Sequence, residues 1–342
     1  MLHGHGDDAY RHGGDVRVNF SSNVPPWGWA AGLRECLNAE LGRVETYPEV
    51  AAESLTAAIA RKGGVAEGNV LVTAGATAGI YLIAQAFRGA RSCVVVPTFA
   101  EYEDACVVND HTMSFVAWGE FVARRAPEGI ENVWVCNPNN PTGAVLTREF
   151  LLERVRQRRD VRFVVDVAYA ELCEVPALTV RDSAMHPNLL VVHSLTKRFA
   201  IPGLRLGFVS GAEETLRRVR RFRQPWAVNS LALAAGEYLL RTEAEDDGWR
   251  AAYLAEAREL FRGLGAIDGV CVEASASGFA LVRLGRGTGA ELKAWLLREY
   301  GFLVRDAGNF RGLDERCVRV SAQRPEENRA LVAAIERWTR LH

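Results

Sequence analysis

The chain has 342 residues, 49% apolar and 24% charged, with a formal net charge of −1. That balance suits a soluble globular enzyme with room for two domains and gives no electrostatic reason for a nucleic-acid or membrane partner. No apolar run reaches the ~18 residues of a membrane helix, and Met1-Leu2-His3-Gly4-His5-Gly6 lacks a signal-peptide core, so a cytoplasmic protein is expected. The seven cysteines are scattered without Cys-x-x-Cys spacing, which argues against a zinc site or disulfide framework and for core thiols in a reducing compartment.

In chain order, the first ~27 residues are rich in Gly, His and Asp and read as an extended arm. Ala51 to Lys62 has helical periodicity, and Val70–Val72 is a short strand followed by Thr73-Ala74-Gly75-Ala76-Thr77-Ala78-Gly79 and an apolar helix through Phe87. Val-rich strands recur at Cys93–Val96, Val133–Cys136, Arg162–Asp166 and Leu189–Val192, separated by helical stretches such as Thr147–Arg158. Buried runs alternating with helices predict an α/β domain with a mainly parallel sheet and helices on both faces. Around Gly236 the pattern changes to long helices (Ala235–Leu240, Trp249–Leu264), then to segments at Phe279–Leu284, Glu291–Glu299 and Cys317–Ser321. These predict a smaller α+β domain. The expected division is 1–45 as the arm with a contribution to the small domain, 46–235 as the large domain, and 236–342 as the small one.

Ligands of doubly wound sheets bind beyond the carboxyl ends of the strands, and the candidate residues fall there. Gly75-Ala76-Thr77 opens a helix whose backbone N–H groups and dipole suit a phosphate, although in isolation it reads as a tight turn. Phe99, in Pro97-Thr98-Phe99-Ala100-Glu101-Tyr102, can stack on a ring face, with Tyr102 as its rival. Asn137-Pro138-Asn139-Asn140-Pro141-Thr142-Gly143 is a rigid loop in which Asn140 can present an amide to a phenolate oxygen. Asp166 ends its strand three residues before Tyr169. A buried carboxylate there needs a partner such as a protonated pyridine nitrogen, unless it is simply a helix cap. Lys197, in His193-Ser194-Leu195-Thr196-Lys197-Arg198, sits at a strand end with Ser194 before it and Arg205 after it, in Ile201-Pro202-Gly203-Leu204-Arg205-Leu206-Gly207. The amine can condense with an aldehyde while Ser194 and Arg205 hold a phosphate. Together these are the contacts pyridoxal 5'-phosphate requires. A sugar- or nucleotide-binding protein using Gly75–Thr77 is the non-enzyme alternative, and it leaves Lys197, Asp166 and Asn140 without a shared purpose.

The order Gly-Ala-Thr, Pro-x-Phe, Asn-Asn-Pro-Thr-Gly, Asp-x-x-Tyr, Ser-x-x-Lys and Arg closely resembles the fold type I aminotransferase superfamily, from Asn19 to about Leu331. The resemblance implies a seven-stranded sheet in the large domain and pyridoxal 5'-phosphate as cofactor. It makes Lys197 the Schiff-base lysine, Asp166 the pyridine-nitrogen partner, and Asn140 and Tyr169 the ligands of the phenolic oxygen. Gly75, Ala76, Thr77, Ser194 and Arg205 would form the phosphate cup. Tyr47, in Thr46-Tyr47-Pro48-Glu49, matches a motif whose tyrosine reaches the neighbouring subunit's phosphate, which implies a homodimer with shared active sites. Arg319, in Val318-Arg319-Val320-Ser321, matches the arginine that forks onto the substrate carboxylate.

Gly301-Phe302-Leu303-Val304-Arg305 followed by Phe310 resembles the branch holding histidinol-phosphate aminotransferases and threonine-phosphate decarboxylases, in which Arg305 would contact an anionic substrate. For both arginines the alternative is an exposed strand position. The arm segments His3-Gly4-His5-Gly6 and His12-Gly13-Gly14 resemble the start of the decarboxylases, as does Val18-Asn19-Phe20-Ser21-Ser22-Asn23-Val24-Pro25-Pro26-Trp27-Gly28, which places Asn23 among the substrate contacts. Asn19 stands where relatives carry an acid, Val24-Pro25 where they carry Asn-Pro, and Ala78 where they often carry glutamate. The expectation is a decarboxylase of L-threonine O-3-phosphate, the alternative an aminotransferase of histidinol phosphate or a similar substrate.

Overall fold

The computed structural model describes residues 7–28, 30–123, 128–242 and 248–341, so His3-Gly4-His5-Gly6 lie outside the described residues. A short strand, β1 (Val18–Asn19), leads the chain. The strands β2 (Val70–Thr73), β3 (Arg91–Val96), β4 (Thr112–Ala117), β5 (Asn132–Cys136), β6 (Arg162–Asp166), β7 (Leu189–Ser194) and β8 (Gly207–Gly211) come next. They form the expected seven-stranded sheet in the order β2-β8-β7-β6-β5-β3-β4. The ladders β4–β3–β5–β6–β7 are parallel, and β8 runs antiparallel to both of its neighbours.

The two-residue period of a strand assigns each side chain to a face. Val133, Val135, Phe163, Val165, Leu189 and Val191 pack on one side, under Leu151, Leu152 and Val155 of the helix Arg148–Gln157. Trp134, Val164, Leu190 and Val192 pack on the other, under Ile80, Ile83 and Ala84 of the helix Gly75–Ala86. Because the period is two, Asp166 shares the Trp134 and Val164 face.

Two strands of this sheet escape a reading of local composition. β4 is an edge strand of mixed burial with no Val-rich run. β8 has a glycine at each end, and glycines read as turn punctuation. Here they serve close packing: a Cβ on Gly207 would sit 2.6 Å from the His193 carbonyl oxygen and 2.8 Å from the Ala76 nitrogen.

Beyond the large sheet come β9 (Val270–Val272), β10 (Phe279–Leu284), β11 (Phe302–Leu303), β12 (Arg305–Asp306) and β13 (Cys317–Ser321). β12-β13-β10-β9 form an antiparallel sheet. Its core joins Val282, Leu284 and Val320 to Leu260 and Leu264 of the helix Trp249–Gly265 and to Ile335 and Trp338 of Pro325–Leu341. The arm is extended where it matters for this core. β1 pairs in parallel with β11, the Phe20 N–H donates to the Leu303 carbonyl (2.8 Å), and the Ser321 N–H donates to the Phe20 carbonyl (2.9 Å). Earlier, the arm makes single 3-10 turns at Ala9–Arg11 and Gly13–Asp15. The expected 235/236 junction falls inside the helix Ser230–Thr242, whose Ala232 and Leu233 pack with Leu55 and Val72 of the large domain. Among the described residues no helix is long and apolar enough to cross a membrane.

Gly207→Ala should lower the unfolding midpoint, since the added methyl meets backbone atoms that cannot swing aside, and overpacking of this kind costs about 1–3 kcal/mol. Thermal denaturation followed by circular dichroism checks this, and an unchanged midpoint would refute the packing account of β8.

Candidate active site

Strand register gathers the chemistry at one edge. Thr73 pairs with Gly207 and Gly207 with Ser194, while Cys136 pairs with Asp166 and Asp166 with Val192. The carboxyl ends of β2, β5, β6 and β7 therefore lie side by side. A cavity of about 200 Å³ opens there. From the large domain Ala76, Thr77, Phe99, Asn140, Asp166 and Tyr169 line it, with Ser194, Lys197 and Arg205. Arg305 and Arg319 enter from the small domain.

One end of the cavity suits an anion. The first N–H groups of the helix Gly75–Ala86 have no intrahelical acceptor, and the positive end of its dipole points outward. Gly75 adopts φ +84°, and a Cβ on it would lie 2.6 Å from Nη2 of Arg205. The left-handed backbone favours glycine there, and its missing Cβ leaves room for the guanidinium beside the turn. Arg205 donates through Nη1 to the Pro202 carbonyl (2.9 Å), and the Ser194 and Thr196 hydroxyls are 2.8 Å apart.

Asp166 lines the same cavity. Its Oδ1 accepts the Ala168 N–H (2.8 Å) and its Oδ2 the Tyr102 hydroxyl (2.9 Å). Burial pushes the carboxyl up to about 6, against the opposing pull of those two donors and Lys197. Asp166 is not a helix cap, since the turn Ala170–Leu172 starts from Tyr169. The amine of Lys197 donates to the Ser22 carbonyl (3.1 Å). Burial, then the positive charges of Arg319 and Arg205, bring it down to about 8.

The small-domain arginines are buried, so the exposed-strand alternative does not hold. Arg305 and Arg319 are directly opposed across the β12–β13 ladder. Arg319 donates to Asn140 Oδ1 and to the Ser21 carbonyl, both uncharged oxygens. Arg305 donates to Asn309 Oδ1 (2.7 Å) and lies over the Phe310 ring, 5.1 Å from its centroid. Burial pushes the Arg319 guanidinium down to about 10, with repulsion from Arg305 adding to the effect and Tyr169 opposing it.

Three expected residues lie apart from the lining: Gly75, in the turn beside Arg205, and Asn23 and Tyr47. Asn23 is buried at φ 51°, and among the described residues neither polar atom of its amide has a hydrogen-bond partner of normal geometry, although Tyr169 feels its presence. Tyr47 is 83% exposed, its ring 5.2 Å from that of Trp226, and it does not reach this cavity within one chain. The structure also adds Asp7, Ser21, Ser22, Thr196, Asn309 and Phe310 to the lining. Most of these lie inside the motifs that the sequence marks. Asp7 does not: it is placed by Asn19, whose Nδ2 donates to Asp7 Oδ1 at 2.9 Å, a contact no local pattern announces.

The family model of aminotransferase class I and II matches residues 16–335. The solved L-threonine-O-3-phosphate decarboxylase of Porphyromonas gingivalis superposes with a TM-score of 0.92 at 38% identity, covering 94% of this chain and 99% of that one. Threonine-phosphate decarboxylase of Salmonella typhimurium is 29% identical over 95% of each chain. Histidinol-phosphate aminotransferase of Desulfitobacterium hafniense is 30% identical over 93% of this chain and 91% of its own.

The depressed Lys197 amine has a direct check. Competitive acetylation of the cofactor-free protein across a pH series, read by peptide mass spectrometry, should return a midpoint near 8 for Lys197, well below the ~10.4 of a model-peptide lysine. An ordinary midpoint at Lys197 would refute the desolvated amine.

Proposed function

The chain belongs to the class I and II aminotransferase family, and on that premise we propose that it decarboxylates L-threonine O-3-phosphate to aminopropanol phosphate, a reaction of the cobalamin-biosynthetic type, as a cytoplasmic homodimer. Pyridoxal 5'-phosphate is the cofactor. The residues present fit it: the Arg205 guanidinium fills the space a side chain at position 75 would take, and the buried carboxylate of Asp166 lines the same cavity. When bound, the cofactor supplies an electron sink for a bond breaking at the substrate Cα.

The protein's own residues do the rest. Gly75, Ala76, Thr77, Ser194 and Arg205 would hold the cofactor phosphate, with Tyr47 arriving from the second copy. Phe99 would cover the ring face, Asn140 and Tyr169 would donate to its phenolic oxygen, and Asp166 would keep its nitrogen protonated. Lys197 would bind the aldehyde and move a proton at Cα, a task that its amine near 8 suits at physiological pH.

The observation that carries the substrate reading is the opposed pair Arg305 and Arg319, both buried in one cavity. Two such guanidinium groups suit an occupant with two anionic groups, and phosphothreonine brings a carboxylate and a phosphate. We assign the carboxylate to Arg319 and the phosphate to Arg305, with the Ser21 hydroxyl, in the same lining, beside them. Two fixed anions set the torsion about Cα, and so decide which bond stands perpendicular to the ring. The similarity to the Porphyromonas decarboxylase supports this choice. An aminotransferase reading also has support, because a dicarboxylate amino donor would satisfy both arginines and the Desulfitobacterium relative is of that kind.

Purified enzyme given O-phospho-L-threonine should release CO₂ and aminopropanol phosphate without 2-oxoglutarate. Formation of pyridoxamine phosphate without CO₂ would establish the aminotransferase instead. Arg305→Ala should lower kcat/KM for phosphothreonine by roughly 10- to 100-fold, the worth of one charge-assisted contact of about 1.5–3 kcal/mol. Unchanged steady-state kinetics would remove Arg305 from the phosphate site.

A further inference from the structure

Tyr102, a rival to Phe99 for the ring face, has a different task in the fold. It lies on the helix Glu101–Val107 and is 1% exposed. Its ring stacks on Trp134 (centroids 5.9 Å, planes 22° apart) and meets Phe99 edge-on (5.8 Å, 82°). Clamped between them, the hydroxyl points at Asp166 Oδ2, 2.9 Å away. The other carboxylate oxygen takes the Ala168 N–H. Each oxygen thus has one protein donor, and Asp166 still lines the cavity.

We propose that Tyr102 is a positioning residue for the reaction, its buried hydroxyl holding the Asp166 carboxylate ionised and aimed at the cofactor's ring nitrogen. The proposal rests on the reading of Asp166 as the partner of that nitrogen. The groups facing Asp166 make the direction definite. Cys136 on β5 and Tyr169 after β6 are each pushed up to about 12, chiefly by burial, so both stay neutral. Burial and the nearby carboxylate hold the Tyr102 phenol well above its usual 10, so it donates at every working pH. The Ala168 N–H, Tyr102 and Lys197 are then the groups favouring the ionised carboxylate against desolvation. Removing the hydroxyl strips Oδ2 of its donor and moves Asp166 upward from about 6 toward neutrality. A protonated Asp166 cannot pair with a protonated ring nitrogen.

The first test needs no cofactor. Infrared difference titration of the apo-protein, with the Asp166 carboxyl band identified by its loss in Asp166→Asn, should show the midpoint rising by about one unit in Tyr102→Phe, a tenfold change in proton affinity. Phenylalanine keeps the ring and its stack on Trp134, so the variant should fold. Trp134→Phe disturbs the ring's bed but leaves the hydroxyl, and it should move the midpoint much less. In the loaded enzyme, Tyr102→Phe should lower kcat about threefold near pH 6.5 with KM held, as the ionised fraction of a group moved up by about one unit falls, and recover as pH rises past the shifted midpoint. An unchanged Asp166 midpoint, or a kcat loss independent of pH, overturns the proposal while leaving Asp166 in place if Asp166→Asn is inactive. Full turnover in Asp166→Asn would instead overturn the reading of Asp166, and the role of Tyr102 with it.

Discussion

A carboxylate buried at the end of β6 is the constraint to which the site answers. Taken out of water, Asp166 must be paired or it will protonate. The fold gives it two short hydrogen bonds and a nearby amine, enough to hold it only around 6. The surrounding charge is mostly positive: Lys197, Arg205, Arg305 and Arg319 all border a cavity of about 200 Å³. Burial depresses Lys197 and Arg319, and repulsion among these cations adds to it. A site in this condition attracts phosphate and carboxylate groups strongly, because each arriving anion relieves repulsion as well as forming its own contacts.

The cavity exists because two domains meet across it, and the arm fastens the junction. Phe20 is buried in the small-domain core, tied by its backbone to Leu303 and Ser321. One residue on, the Ser21 carbonyl accepts from Arg319, and the Ser22 carbonyl accepts from Lys197. A three-residue stretch therefore links the small-domain core to Arg319 and Lys197. Arg311 makes a second bridge, forked onto Glu103 of the helix that carries Tyr102. It comes directly after the loop residues Asn309 and Phe310, so the segment supporting Arg305 is anchored on the large domain.

Much of this was legible in the sequence. The Val-rich runs gave β3, β5, β6 and β7 because strands buried on both faces must be apolar throughout, and a parallel sheet brings the loops after its strands to one edge. For that reason Gly75, Phe99, Asn140, Asp166, Ser194 and Lys197, scattered along the chain, could be expected to converge. The two large-sheet strands that were not legible each have a physical reason. β4 lies at an edge, and the glycines of β8 are demanded by neighbours distant in sequence, His193 and Ala76 among them.

What the sequence by itself determined is the set of reactive groups and the strand ends that carry them, since strand, turn and motif are encoded in short consecutive runs. Tertiary structure alone decided how those groups act on one another. The opposition of Arg305 to Arg319 depends on the register of two strands. The bond from Tyr102 to Asp166 spans 64 residues and depends on a helix seating its ring against Trp134. The capture of Asp7 by Asn19 depends on where the arm turns back. Proton affinities arose from the same packing, because burial and neighbouring charge belong to the assembled cavity and to no single segment of the chain.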